Sequence, residues 1–177
     1  MLSDAAAINQ RLKLVLVTGW ALWITVVFTT NVLDALQELK VLPQGWKAHS
    51  GNFDYIDAVT ARYGVPDWMD AILFGGAIAW EGAIAFLLWR AVADLSRPRA
   101  TVPPAVSAAF LVSLPLWLAF AVADELFIDF QPEATHLRIF IAQAVTLLLI
   151  WLLPPAALSQ PGSAEAQREA EVAEGEK

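Results

Sequence analysis

Hydrophobic positions dominate the chain in four long stretches, Leu14 to Leu33, Ala71 to Ala93, Ala105 to Ala123 and Leu137 to Leu158. Each can cross a bilayer as a helix, because ~20 residues at a rise of ~1.5 Å span the ~30 Å hydrocarbon core. The pattern predicts an all-α, polytopic membrane protein: four transmembrane helices in an antiparallel bundle, with spans at about 12–35, 69–93, 104–126 and 135–154 inside a 1–158 domain. Pro103-Pro104 suit the first turn of the third span, Pro115 should kink it, and Pro154-Pro155 stop the fourth.

Between the first two spans the period changes. Phe53, Ile56, Val59 or Thr60, and Tyr63 recur at helical spacing, with Asp54, Asp57 and Arg62 on other faces. Asn52 reads as a cap, and Gly64 with Pro66 as a stop. This predicts an extracytoplasmic amphipathic helix that covers the bundle ends, or acts as a lid. After Leu158 a polar segment, 159–177, carries Glu165, Glu169, Glu171, Glu174 and Glu176, which predicts an acidic, disordered cytoplasmic tail.

Composition agrees with the pattern. The 177 residues are 58% hydrophobic and 16% charged, too apolar for an ordinary soluble domain. With no cysteine, thiol nucleophiles, thiolate metal sites and iron–sulfur clusters are excluded. The net charge of −7 gathers largely in the tail, and basic residues are too few for nucleic acid. Arg11 and Lys13 precede a first stretch too long for a signal-peptide core, so a retained helix is expected. Arg90, Arg97 and Arg99 crowd the second connection, so the positive-inside rule puts both termini in the cytoplasm of a multi-pass cell (inner) membrane protein.

Candidate chemistry lies in the polar residues inside or beside the spans, which in lipid need a partner or a cavity. Glu81 sits roughly 13 Å beyond Ile72 along the second span. Ala77 and Ala85 flank it by one turn, allowing close approach of a neighbouring helix. Asn31 and Asp34 end the first span, Asp124 and Glu125 end the third, and His136 begins the fourth, with Gln143 two turns deeper on its face. Topology then predicts an outward polar funnel, with Asn31, Asp34, Asp124, Glu125 and His136 at its rim and Glu81 and Gln143 below. The same residues have structural readings: Glu81 as a neutral acid hydrogen-bonded across helices, Asp34 and Glu125 as helix ends near water, and Asp124 with His136 as a local pair. The two Glu-x-x-His pairs that a ferritin-like di-metal centre requires are not present, Glu133 to His136 being a single one, and there is no phosphate loop, nucleophile elbow or His-Glu-x-x-His motif. Bis-histidine haem ligation would have to use His49 and His136. The stripe Gly75, Ala79 and Ala83 is a helix-packing signature that also permits self-association or contact with other membrane subunits.

The order of polar marks resembles a bacterial family of predicted small four-helix integral membrane proteins of unknown function. The resemblance rests on Asn31-Val32-Leu33-Asp34 closing the first span, Glu81 in the second, Asp124-Glu125-Leu126-Phe127 closing the third, and Leu137-Arg138-Ile139-Phe140 opening the fourth. Leu126 stands where the family has an aromatic residue. The resemblance implies no activity; it singles out Asn31, Asp34, Glu81 and Glu125. Three functions fit these residues: a non-catalytic subunit or assembly component of a membrane complex, an outward-facing bundle that binds or transports a cation, proton or metal, and a redox protein holding quinone or haem.

Overall fold

The computed structural model describes residues 2–97 and 101–154. The expected acidic tail, 159–177, lies outside the described residues. Helix α1 spans Leu2–Glu38, α2 Asn52–Thr60, α3 Asp67–Leu95, α4 Pro104–Leu126 and α5 Phe130–Leu152, and a 3₁₀ turn, Ala61–Tyr63, extends α2. The four long helices pack antiparallel, α1 on α3, α3 on α4 and α4 on α5. All four are long and apolar enough to cross a membrane, and the chain is a multi-pass membrane protein.

Two element boundaries differ from the sequence expectation. Helix α5 starts at Phe130 rather than near Thr135, because Pro132 falls in its first turn, where a missing N–H breaks no helical bond. Helix α1 runs well beyond its apolar stretch at both ends. Its 37 residues extend for roughly 55 Å, against ~30 Å of hydrocarbon.

Both overhangs of α1 hold other elements in place. At its N-terminal end, Gln10 Nε2 donates to the Leu95 carbonyl of α3, and Lys13 Nζ donates to the Leu153 carbonyl at 2.7 Å. These are the carbonyls that helix C-termini leave without partners, and the ammonium also meets the negative end of the α5 dipole. At the other end, Gln37 Nε2 donates to the Gln44 carbonyl at 2.8 Å, and the Ser50 N–H donates to the Thr30 carbonyl at 3.2 Å. The connection after α1 therefore folds back alongside it.

The core is a stripe on each helix. Val17, Ala21 and Ile24 of α1 meet Ile84, Ala85, Leu88 and Ala91 of α3, and Val106, Ala109, Phe110, Leu116 and Trp117 of α4 continue the cluster to Ile150 of α5. The exposed apolar residues, among them Val15, Phe86, Leu111 and Leu148, are what a lipid-facing surface requires. Helices α1 and α5 end the row. They are joined by long side chains, Trp20 Nε1–H donating to Thr146 Oγ1 at 3.0 Å and Lys13 reaching Leu153, rather than by close backbone packing.

Helix α2 is a strap across one end of the long helices, beside the C-termini of α1 and α4 and the N-termini of α3 and α5. Val59 and Thr60 are buried, Phe53 packs on Phe74 of α3 with centroids 5.7 Å apart, and the Tyr55 and Tyr63 hydroxyls donate to the Asp129 carboxylate and the Phe127 carbonyl. Burial first, and the Asp129 carboxylate second, hold the Tyr55 phenol well above its ordinary value. The two tyrosines grip the tight α4–α5 turn, where Ile128 adopts φ 51°, a left-handed conformation that a β-branched residue rarely takes.

Among the glycines described, Gly82 is the one with a close neighbour: a Cβ there would stand 3.0 Å from Phe28 Cε2 of α1. The Gly75, Ala79 and Ala83 stripe points outward instead: all three are exposed, and nothing lies within 4 Å of a Cβ built on Gly75. The packing that the stripe was expected to supply within the bundle comes from Gly82, Ala85 and Ala21. Gly82→Val should therefore separate α1 from α3 and lower stability by about 1–3 kcal/mol, the usual cost of overpacking. Gly75→Val should leave the monomer's thermal midpoint in detergent nearly unchanged. Equal loss in both variants would contradict this assignment.

Candidate functional site: two interhelical polar clusters

The intramembrane polar residues form two groups. In the first, Asn31 of α1 faces Glu81 of α3, and its Nδ2 lies 2.8 Å from each carboxylate oxygen. The Asn31 carbonyl oxygen accepts from Asn52 Nδ2 at 2.8 Å. One amide thus joins α1, α3 and α2, with both of its polar atoms engaged. Asn31 and Glu81 are 3% and 2% exposed, so neither lines an open funnel.

Asp34, one turn from Asn31, holds the start of α2. Its Oδ2 accepts from the Phe53 N–H at 3.0 Å and from Ser50 Oγ at 2.8 Å, and its Oδ1 lies 3.1 Å from His49 Nδ1. Asn52 was the expected cap, but the position before the helix is Gly51, at φ 73°. The capping acceptor comes from another helix, and the Asn52 side chain is freed to reach Asn31. On the far side of α2, Thr60 Oγ1 lies 2.8 Å from Asp70 Oδ1 and 2.8 Å from its own Ile56 carbonyl. Asp70 is 1% exposed, and among the described residues its Oδ2 has no hydrogen-bond partner. It stands eleven residues from Glu81, three helical turns along one face, which is how it could have been found from sequence.

The second group lies between α4 and α5. His136 Nδ1 is 2.6 Å from Asp124 Oδ2, and Ser113 Oγ donates to Gln143 Oε1 at 2.8 Å. The His136 ring packs on Trp117 and Phe120, with centroids 6.0 and 5.1 Å away. Trp117 in turn contacts Trp23 of α1 at 5.3 Å. Its indole Nε1 is buried without an acceptor.

Of the expected constellation, then, Asn31, Asp34 and Glu81 fall on the α1–α2–α3 side, and Asp124, His136 and Gln143 on the α4–α5 side. Among the described residues no hydrogen bond links the two. Glu125 joins neither group: it is exposed, and with Glu133 it edges a shallow, mostly apolar groove of about 330 Å³ beside the α4–α5 turn. His49 and His136 are engaged by different carboxylates, Asp34 and Asp124. Among the described residues no set of three or more His, Cys, Asp or Glu side chains is placed to hold a metal ion. No known protein family, characterised protein or solved structure matches the chain.

The Asn31–Glu81 geometry fixes what substitutions should do. Glu81→Gln keeps one acceptor for the Asn31 amide but sets an NH₂ group against it on the other side. It should fold, with a loss of about 1 kcal/mol. Glu81→Leu leaves the buried Asn31 amide without its acceptor and should cost about 1–3 kcal/mol. Thermal unfolding in mild detergent ranks the two variants; a leucine variant as stable as wild type would remove the pair from the account of stability.

Proposed function

We propose that this chain is a non-catalytic subunit or assembly component of a membrane complex. The observation that carries the reading is that the polar side chains buried at helix contacts are engaged by one another: Glu81 by Asn31, Gln143 by Ser113, Asp124 by His136. In this reading Asn31, Asp34, Glu81, Asp124, His136 and Gln143 are joints between helices, and Glu125 is a helix end near water. The outward stripe of Gly75, Ala79 and Ala83 offers a partner helix, or a second copy of the chain, a surface without bulky side chains. The resemblance to small four-helix membrane proteins, carried by Asn31, Asp34 and Glu81, is compatible with such a role. A cation, proton or metal bundle is the weaker reading, because the Glu81 carboxylate is buried with both oxygens on Asn31.

The test is purification of the native complex in mild detergent. A membrane partner should co-purify in fixed ratio, and an Ala79→Leu, Ala83→Leu double variant should lose it while keeping the wild-type thermal midpoint. A chain that purifies alone, with the variant indistinguishable, would overturn the proposal.

The basic residues Arg11, Lys13, Arg90, Arg97 and Arg99 argue that both termini and the α3–α4 connection are cytoplasmic and the α2 strap is external. The exposed positions Lys47 and Arg97 report this directly, since no native cysteine interferes. Lys47→Cys should react with a membrane-impermeant maleimide in intact cells, and Arg97→Cys only after permeabilisation. The reverse pattern would invert the topology.

A further inference from the structure

We propose that the groove between α4 and α5, beside the turn that joins them, binds a long-chain primary ammonium: a single positive head with N–H donors on an unbranched alkyl tail. The site goes beyond the subunit role and does not depend on it.

The groove, of about 330 Å³, is at the small end of the roughly 300–1,000 Å³ that ligand sites occupy. Leu118 and Val122 of α4 and Leu137 of α5 are its walls, and Ala121, 5% exposed, is its floor. Leu118, Val122 and Glu125 follow one face of α4, and Glu133 and Leu137 one face of α5. From Leu118 the apolar wall therefore leads for roughly 10 Å, at ~1.5 Å per residue, to two carboxyl groups at one end. Lipid-facing leucine and valine below and acidic groups above are the two halves of an amphiphile's complement, an alkyl tail and a cationic head.

Charge and hydrogen bonding select the head. The Glu125 and Glu133 carboxyl groups stand within hydrogen-bond reach of each other, and the other charge acting on Glu133, Asp124, is acidic too. Among the described residues no lysine, arginine or histidine lines the groove, and His136, one turn beyond Glu133, is engaged by Asp124 instead. Like charges this close, beside hydrocarbon, favour an occupant that brings a cation to both. Carboxylates are acceptors only, and a primary ammonium has donors enough to share between them. A quaternary head has no donor and is recognised by aromatic faces, none of which lines this groove. An ethanolamine phospholipid would bring its phosphate beside the carboxylates with no basic residue to receive it. The short stem of a partner's lysine would leave the Leu118 end of the wall uncovered.

The experiment uses the full chain in phosphatidylcholine nanodiscs with dodecylamine carrying a mid-chain diazirine, and maps the photolabel by mass spectrometry. Saturable label on Leu118, Val122 or Leu137 is expected, and excess dodecylamine should remove it whereas excess dodecanol should not. Glu125→Gln and Glu133→Gln should each weaken binding about ten-fold, the worth of one hydrogen bond to a charged group at the low end of its range. Leu118→Trp, at an exposed position, should fill the groove and abolish the label with both carboxyl groups intact. Asp57→Asn, which removes an exposed charge from α2, should bind like wild type. Label spread over lipid-facing residues such as Phe86 and Leu111, or unchanged affinity in both glutamine variants, would overturn the site. Loss of the label in nanodiscs containing phosphatidylethanolamine would make the occupant a lipid headgroup and overturn the proposal. Competition by dodecyltrimethylammonium equal to that by dodecylamine would overturn it too, because the N–H donors would then count for nothing. Should either glutamine variant fail to fold, the competition series on the wild type decides. Co-purification of a partner subunit is a separate readout, so the failure of one proposal leaves the other standing.

Discussion

A carboxyl group in the middle of a lipid-embedded helix must find hydrogen-bond donors inside the protein, because the surrounding hydrocarbon supplies none. For Glu81 the donor is Asn31, and the other half of the same amide accepts from Asn52. Three elements are thereby held in one register. Sliding α3 along α1 by a turn would strand the carboxylate, and lifting α2 away would strand the Asn31 carbonyl. Apolar packing lacks this discrimination, since Val17, Ala21 and Ile24 would be buried about as well against several registers of Ile84, Ala85 and Leu88. In a solvent as apolar as the helix surfaces, packing and polar joints together choose among arrangements that hydrophobicity leaves equivalent.

Secondary joints follow the same logic with threonine as intermediary. The Trp20 and Trp89 indoles donate to Thr146 and Thr25, and each of these hydroxyls donates in turn to the carbonyl four residues earlier in its own helix. A threonine that would be a weak helix former in water is well used here, because its hydroxyl satisfies itself locally and still offers lone pairs to a neighbouring helix. The overhangs of α1 extend the scheme beyond the hydrocarbon. Gln10 and Lys13 close the ends of α3 and α5, and Asp34 starts α2, so this one helix fixes both ends of the bundle.

The four spans were legible in the sequence because length and apolarity are imposed by the bilayer itself. The α2 strap was legible from the spacing of Phe53, Ile56 and Tyr63, and the pairing of Asp124 with His136 from the short connection between α4 and α5. What could not be read was rotation of each helix about its own axis. Hydropathy is almost uniform around a lipid-embedded helix, so nothing in the pattern said that Gly75, Ala79 and Ala83 face outward while Gly82 faces Phe28. For the same reason the polar residues could be placed by depth but not by azimuth, and one funnel was expected where two separate clusters exist. Asn52 misled for a different reason: its type suits a cap, but Asp34, eighteen residues earlier on another helix, already performs that task by accepting from the Phe53 N–H.

The two clusters leave the bundle asymmetric. On the α1–α2–α3 side, Asn31, Asp34 and Glu81 have their oxygen and nitrogen atoms matched within the fold, and the Phe28 ring of α1 packs on Gly82 of α3. On the α1–α5 side the bridging residues are large, Trp20 reaching Thr146 and Lys13 reaching Leu153. Glu81 and His136 looked alike as lone ionisable residues in the sequence, yet Glu81 is buried with both oxygens on Asn31, whereas the His136 side chain keeps 21% exposure beside its carboxylate partner, Asp124.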